Sequence, residues 1–198
     1  CKEDRLASPD AGRRKLADKP ALFRETNNPK TYIIVPSVSS EKRRYVPMGF
    51  LDDNTIPTNL VLIIPNATLY HFGILESNVH MAWMRVVCGR LKSDYRYSKD
   101  VVYNNFPWPD GLPSFGEDVR SRIEQTAQAI LDARAKYPDS SLADLYDPMT
   151  MPYDLLDAHR RNDRAVMEAY GFSTKMTESE CVAKLFEMYS KLTAQKME

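Results

Sequence analysis

The sequence predicts an α+β chain, with a β-containing part followed by an all-helical part. Three observations carry this. Short β-branched and aromatic runs, each broken by proline, crowd the first half. Helical periodicity takes over in the second half. Between them, Asn104-Asn105-Phe106-Pro107-Trp108-Pro109-Asp110-Gly111 holds two prolines and a glycine, which forbid regular structure. The expected parts are residues 1–108 and 109–198.

Residues 1–30 are polar, and a short helix is expected around 17–24. Thr31-Tyr32-Ile33-Ile34-Val35 reads as a strand ended by Pro36. Residues 37–42 read as a polar turn. Residues 44–50 alternate and suit an edge strand, since Pro47 cannot donate to a ladder. Asp52-Asp53-Asn54 reads as a loop, and Leu60-Val61-Leu62-Ile63-Ile64 as a buried strand. Ser77 or Asn78 is placed to cap a helix through about Leu91, on the spacing of Val79, Trp83, Val86 and Val87. Val101-Val102-Tyr103 suits one more strand.

Beyond the break, Val119, Ile123, Ala127, Ile130, Leu131 and Ala135 share one helix face. Ser140 or Ser141 can cap a short helix through Tyr146. Pro152 suits the start of a helix carrying Leu155, Leu156, His159, Val166 and Tyr170, and Gly171 its end. Thr177-Glu178-Ser179-Glu180 matches a capping box before a last helix with Val182, Leu185, Phe186 and Tyr189.

Composition bounds the function. The chain has 198 residues, 43% hydrophobic and 27% charged, as in globular proteins. No run approaches the roughly 18 apolar residues of a membrane helix. The start is polar and lacks Met, so the chain reads as a fragment of a longer protein. Three distant cysteines, Cys1, Cys88 and Cys181, argue against a disulfide scaffold and for a reducing, cytoplasmic setting. His71, His80 and His159 lack metal-ligand spacing. The net charge is zero, yet residues 1–105 carry 16 basic and 11 acidic side chains and residues 106–198 carry 11 and 16. The first half can therefore face a polyanion.

Catalytic signatures are missing. There is no Gly-x-Gly-x-x-Gly, no Gly-x-x-x-x-Gly-Lys and no Gly-x-Ser-x-Gly, and the 7 glycines leave little for a nucleotide cradle. The informative segment is 85–99. Arg85, Arg90, Lys92, Arg96 and Lys99 alternate with Tyr95 and Tyr97, with Asp94 the one acid. Cations bind phosphates and aromatics pack on sugars or bases, although a solvated strand with amphipathic tyrosines reads equally well. If the segment is extended, Lys92 and Asp94 project to one side. A Lys donates to guanine and an Asp accepts from the cytosine amine, so the pair could read one G·C pair; the bland alternative is a surface ion pair.

Several runs resemble one known family. They are Leu22-Phe-Arg-Glu-Thr-Asn-Asn28, Tyr32-Ile-Ile-Val-Pro-Ser-Val-Ser-Ser-Glu41 and Ile64-Pro-Asn-Ala-Thr-Leu-Tyr-His-Phe-Gly73. To these add His80-Met-Ala-Trp-Met84, Cys88-Gly-Arg-Leu-Lys-Ser-Asp-Tyr-Arg-Tyr-Ser98, Tyr103-Asn-Asn-Phe-Pro-Trp-Pro109 and Ser141-Leu-Ala-Asp-Leu-Tyr-Asp-Pro-Met-Thr-Met-Pro152. The chain resembles the carboxyl-terminal region of the MmeI-like, type IIL restriction–modification DNA methyltransferases: the later target recognition domain and the helical tail after it.

The resemblance implies sequence-specific recognition of double-stranded DNA within a larger adenine-N6 methyltransferase, with or without a nuclease. It implies S-adenosylmethionine as that parent's cofactor, and an upstream methyltransferase domain as this chain's partner. The family's Asn-Pro-Pro-aromatic motif is absent here, and Asn105-Phe106-Pro107-Trp108 has its letters in another order, so no cofactor site or catalytic residue is expected in this chain. The family's specificity positions fall on Lys92, Asp94 and Arg96, with Lys-x-Asp associated with G at the last recognised base. Arg43, Arg44, Arg85, Arg90 and Lys99 are the candidate contacts to the DNA backbone. Ser37 departs from the family, where an Arg is frequent. Two other readings stand beside this one, a non-catalytic scaffold domain and an RNA-binding module. Neither a scaffold's affinity nor its selectivity should depend on salt and sequence as a DNA reader's does.

Overall fold

The computed structural model describes residues 1–22, 29–113 and 115–195. Two short helices come first, α1 (Lys2–Leu6) and α2 (Ala11–Lys15). Asp10 starts α2 by accepting the Arg13 N–H at 2.8 Å. The helix expected at 17–24 is not found: residues 17–22 are turns around Pro20, and 23–28 lie outside the described residues, as does most of the run from Leu22 to Asn28. Arg5 ties these turns down by donating to the carbonyls of Leu16 and Lys19.

The first sheet is antiparallel and has the order β3-β1-β4, from β1 (Thr31–Pro36), β3 (Gly49–Asp52) and β4 (Val61–Pro65). β1 is the central strand and buries Tyr32, Ile33 and Val35. The apolar run of β4 predicts a buried strand, but β4 is an edge strand and only half-buried. The second sheet has the order β2-β6-β5, from β2 (Val38–Ser39), β5 (Gly89–Leu91) and β6 (Asp94–Arg96). Thus the expected turn at 37–42 contains a strand. Ser37 is the corner between the sheets. Its N–H donates to the Leu60 carbonyl at 3.1 Å, and its own carbonyl accepts from the Tyr97 N–H at 2.9 Å.

The strand expected at 44–50 begins only at Gly49. Its backbone donors are taken by helix side chains instead of a ladder. The Val46 N–H meets Met81 Sδ at 3.4 Å, and the Met48 N–H donates to Glu76 Oε1 at 2.8 Å. Tyr45, Val46 and Met48 are core residues.

Two helices follow, α3 (Leu69–Leu75), which the sequence analysis does not predict, and α4 (Asn78–Val87). Ser77 caps α4 by accepting the His80 N–H at 3.3 Å. α4 stops at Val87 rather than Leu91, because Cys88 is already extended and leads into β5. The strand expected at 101–103 is a π-helical turn, Lys99–Tyr103. Trp83 Nε1 holds it by donating to the Val102 carbonyl at 3.0 Å.

After residue 116, every regular element among the described residues is a helix: α5 (Glu117–Ala135), α6 (Leu142–Leu145), α7 (Tyr153–Ala169) and α8 (Glu178–Gln195). Local caps set their ends. Ser141 and Asp144 form a capping box for α6. Gly171 (φ 67°) closes α7 in a Schellman turn, with Phe172 N–H to the Met167 carbonyl at 2.8 Å and Gly171 N–H to Glu168 at 2.9 Å. Thr177 and Glu180 cap α8 reciprocally.

One core runs through both halves. α3 lies against α5 at Gly73, where an added Cβ would sit 2.6 Å from Ile123 Cγ2. Trp83 of α4 packs on Phe186 and Tyr189 of α8, with ring centroids 5.1 and 5.9 Å apart. A buried polar cluster crosses the same seam. Arg134 donates to the Met48 carbonyl at 2.6 Å, to Glu76 at 2.9 Å and to the Tyr146 hydroxyl. His159 lies 2.6 Å from that hydroxyl and stacks on Tyr45. The helical part thus buttresses the platform that carries the second sheet.

Candidate nucleic-acid interface

β5 and β6 form a hairpin closed by the two residues Lys92 and Ser93. Leu91 pairs with Asp94, Arg90 with Tyr95, and Gly89 with Arg96. β6 alternates. Tyr95 and Tyr97 point inward and are buried, while Arg96 is exposed and Asp94 half-exposed. Tyr97 anchors the sheet below, its hydroxyl 2.9 Å from His80 Nε2. Burial alone pushes His80 down to about 3, so the imidazole is neutral.

β2 adds a third strand only at the base, pairing Val38 with Arg96 and Ser39 with Tyr95. The tip beyond Tyr95 is therefore a two-stranded ribbon. It is exposed at Arg90, Leu91, Lys92 and Ser93. Lys92 has φ 57°, a left-handed conformation that L side chains rarely adopt.

This changes the geometry expected for the base-reading residues. Lys92 and Asp94 do not share one face of a continuous strand, because the chain reverses between them. Asp94 and Arg96 share a strand face, and Lys92 stands at the tip. The surface Lys–Asp ion pair is not formed either, and neither Lys92 nor Arg96 has an ion-pair partner among the described residues. Gly89 opposite Arg96 leaves that side chain uncrowded: a Cβ there would lie 3.8 Å from Arg96 Cβ.

The candidate backbone contacts divide into two sets. Arg43, in the loop after β2, has no ion-pair partner among the described residues. Lys99 is exposed, 4.0 Å from its neighbour Asp100. The others are engaged within the chain. Arg85 donates to Glu178 at 2.9 Å and to the Arg44 carbonyl at 2.6 Å, pinning the loop to α8. Arg44 approaches the buried Asp163 at 4.0 Å. Arg90 donates to the Ser93 carbonyl at 2.9 Å, lies 3.7 Å from Glu41 and covers the Tyr95 ring at 4.2 Å.

Glu41 is a site residue that the sequence does not mark. Its N–H lies 3.4 Å from Asp94 Oδ1 and its carboxylate faces Arg90, so it abuts the ribbon. It is distant in sequence from both partners, and no local pattern marks it. Among the described residues, no His, Cys, Asp and Glu cluster could hold a metal, and no helix is long and apolar enough to cross a membrane.

Two family models match most of this chain: the MmeI target recognition domain over residues 1–110 and the MmeI C-terminal domain over residues 116–197. The chain belongs to the MmeI family. It is 42% identical over 193 residues to DNA methyltransferase A of Bacillus subtilis (strain 168), a match covering 97% of this chain and 21% of that protein. It also superposes on a chain of the type IIL restriction–modification enzyme MmeI, solved in complex with DNA, with a TM-score of 0.87 and 46% identity. That match covers 98% of this chain and 25% of the MmeI chain. The chain therefore spans about a fifth to a quarter of the relatives it matches.

Proposed function

We propose that this chain is the DNA-reading segment of a larger adenine-N6 DNA methyltransferase of the restriction–modification type. The β5–β6 ribbon is its reading element. One observation carries the proposal: an exposed two-stranded tip presents Lys92 from a left-handed turn, with Asp94 and Arg96 on one strand face behind it. The major groove admits a two-stranded ribbon of this kind. Lys and Arg supply donors for guanine O6 and N7, and Asp an acceptor for the cytosine amine. Lys92 and Asp94 read one G·C pair, and Arg96 contacts a neighbouring pair.

Arg43 and Lys99 contact phosphates beside the ribbon and fix its register without reading sequence. Arg44 and Arg85 add positive potential, while their guanidinium groups hold the loop against α7 and α8. The division between reader and buttress is placed at residues 108 and 109.

Methyl transfer belongs to the rest of the parent protein, with S-adenosylmethionine as donor. The residues here do not fit that cofactor. Gly73 serves helix packing, Gly89 the ribbon and Gly171 a helix end, and none belongs to a phosphate- or nucleoside-cradling loop. The upstream methyltransferase domain is the expected partner, in the cytoplasm.

The test is duplex binding by the full-length protein across a salt series. A DNA reader loses affinity steeply with salt and prefers one sequence at every salt concentration. A flat salt response without sequence preference would favour the scaffold reading. Preference for an RNA duplex or single strand would favour the RNA module.

A further inference from the structure

We infer that Arg90 and Glu41 are positioning residues that hold the reading tip in register, and that Arg90 is not a phosphate contact. The inference rests on the DNA-reading proposal above. It starts from Lys92. A lysine at φ 57° is strained relative to glycine, so the ribbon tip would relax or twist without support. Arg90 supplies that support. Its Nη1 donates to the Ser93 carbonyl at 2.9 Å, tying strand β5 across the two-residue turn. Its guanidinium carbon lies over the Tyr95 ring, 4.2 Å from the centroid, and Tyr95 is buried. The third tie is Glu41, 3.7 Å from the same guanidinium.

Glu41 also acts on Asp94 directly. Its backbone N–H lies 3.4 Å from Asp94 Oδ1. One residue of the loop after β2 therefore touches both the acid that reads a base and the cation that closes the turn. The planar guanidinium satisfies a carbonyl, a carboxylate and a ring face together. A lysine carries the same charge but cannot span the three. That difference separates positioning from phosphate binding.

The experiment uses the full-length methyltransferase with Arg90→Ala, Arg90→Lys, Glu41→Ala and Glu41→Gln. Two readouts are taken. One is methylation of duplexes carrying each base at the position read by Lys92 and Asp94. The other is the salt slope of duplex binding. Arg90→Ala and Arg90→Lys should both lower discrimination at that one position by roughly tenfold, the scale of one lost base contact, with little change in salt slope. Glu41→Ala should lower the same discrimination even though removing an acid raises general affinity for DNA. Glu41→Gln, which keeps an acceptor for the guanidinium, should restore part of it.

If Arg90→Ala weakens all duplexes alike and flattens the slope by about one, and Arg90→Lys restores binding, Arg90 is a phosphate contact and the inference is wrong. Exchanging Lys92 and Asp94 for other side chains in the same assay keeps the two claims apart. If that exchange moves base preference while the Arg90 and Glu41 variants discriminate like the parent, only the positioning role fails. If the exchange moves nothing, the reading proposal itself fails and the positioning role falls with it.

Discussion

The Tyr45 hydroxyl donates a 2.7 Å hydrogen bond to Asp163, a residue 118 positions away. It joins the loop that leads from β2 toward β3 to the middle of α7. Asp163 is buried, and its other oxygen accepts the Asn78 N–H at 2.7 Å. Tyr45→Phe keeps the ring stacked on His159 and removes one of the two close donors to a buried carboxylate. The expected cost is about 1–3 kcal/mol of unfolding free energy, read from the denaturant midpoint.

Gly73 tests the seam between α3 and α5. Alanine is the better helix former by about 1 kcal/mol, so propensity alone predicts stabilisation. Packing predicts the reverse. The new Cβ would lie 2.6 Å from Ile123 Cγ2 and 3.2 Å from both Ala127 Cβ and Asn162 Oδ1. Asn162 is also held by its 2.7 Å bond to the Gly73 carbonyl. Overpacking of this kind costs about 1–3 kcal/mol, so Gly73→Ala should lower the thermal midpoint.

The helical half was legible because its signals are local. Ser141, Gly171 and the Thr177–Glu180 box cap helices with partners a few residues away. The first half was less so. Residues 45–48 alternate like a strand, but their donors go to Met81 and Glu76, which no local pattern reveals. Residues 101–103 have strand composition, yet the Ser98 cap and the Trp83 bond wind them into a π turn. At the site, the chemistry of Lys92, Asp94 and Arg96 was readable and their arrangement was not. A left-handed lysine has no sequence mark of the kind a glycine gives.

Stability should depend on pH through three buried groups. Burial lowers His80 and His159 from 6.5 to about 3. Between those values the unfolded chain binds protons that the folded chain refuses, so stability present above 6.5 is lost as pH falls. Glu76 works the other way. Burial raises it from 4.5 to about 7 despite Arg134, so the folded chain takes up a proton first as pH falls from 7. Glu76→Gln removes that compensation. The variant should lose more stability than the parent between pH 7 and 4.5. Urea midpoints at the two pH values give the comparison, and equal losses would mean that Glu76 does not titrate there.

Arg43 has no ion-pair partner among the described residues, and it follows by two positions Glu41, whose N–H meets Asp94 of the ribbon. Arg43→Ala in the full-length protein should weaken binding to cognate and altered duplexes by the same factor. The salt slope should fall by about one. An effect confined to one base position would make Arg43 a reader instead.

The central claim is that the ribbon tip reads a base pair. It is tested most directly by Lys92→Glu together with Asp94→Arg in the full-length methyltransferase. The measurement is methylation of a duplex library holding every base at each recognised position. The exchange reverses donor and acceptor, so Glu at the tip accepts from cytosine and Arg behind it donates to guanine. The account predicts that preference moves from G towards C at one position and stays fixed elsewhere, while each single change mainly weakens modification. A double variant that keeps its preference for G, or loses activity on every sequence alike, would contradict it.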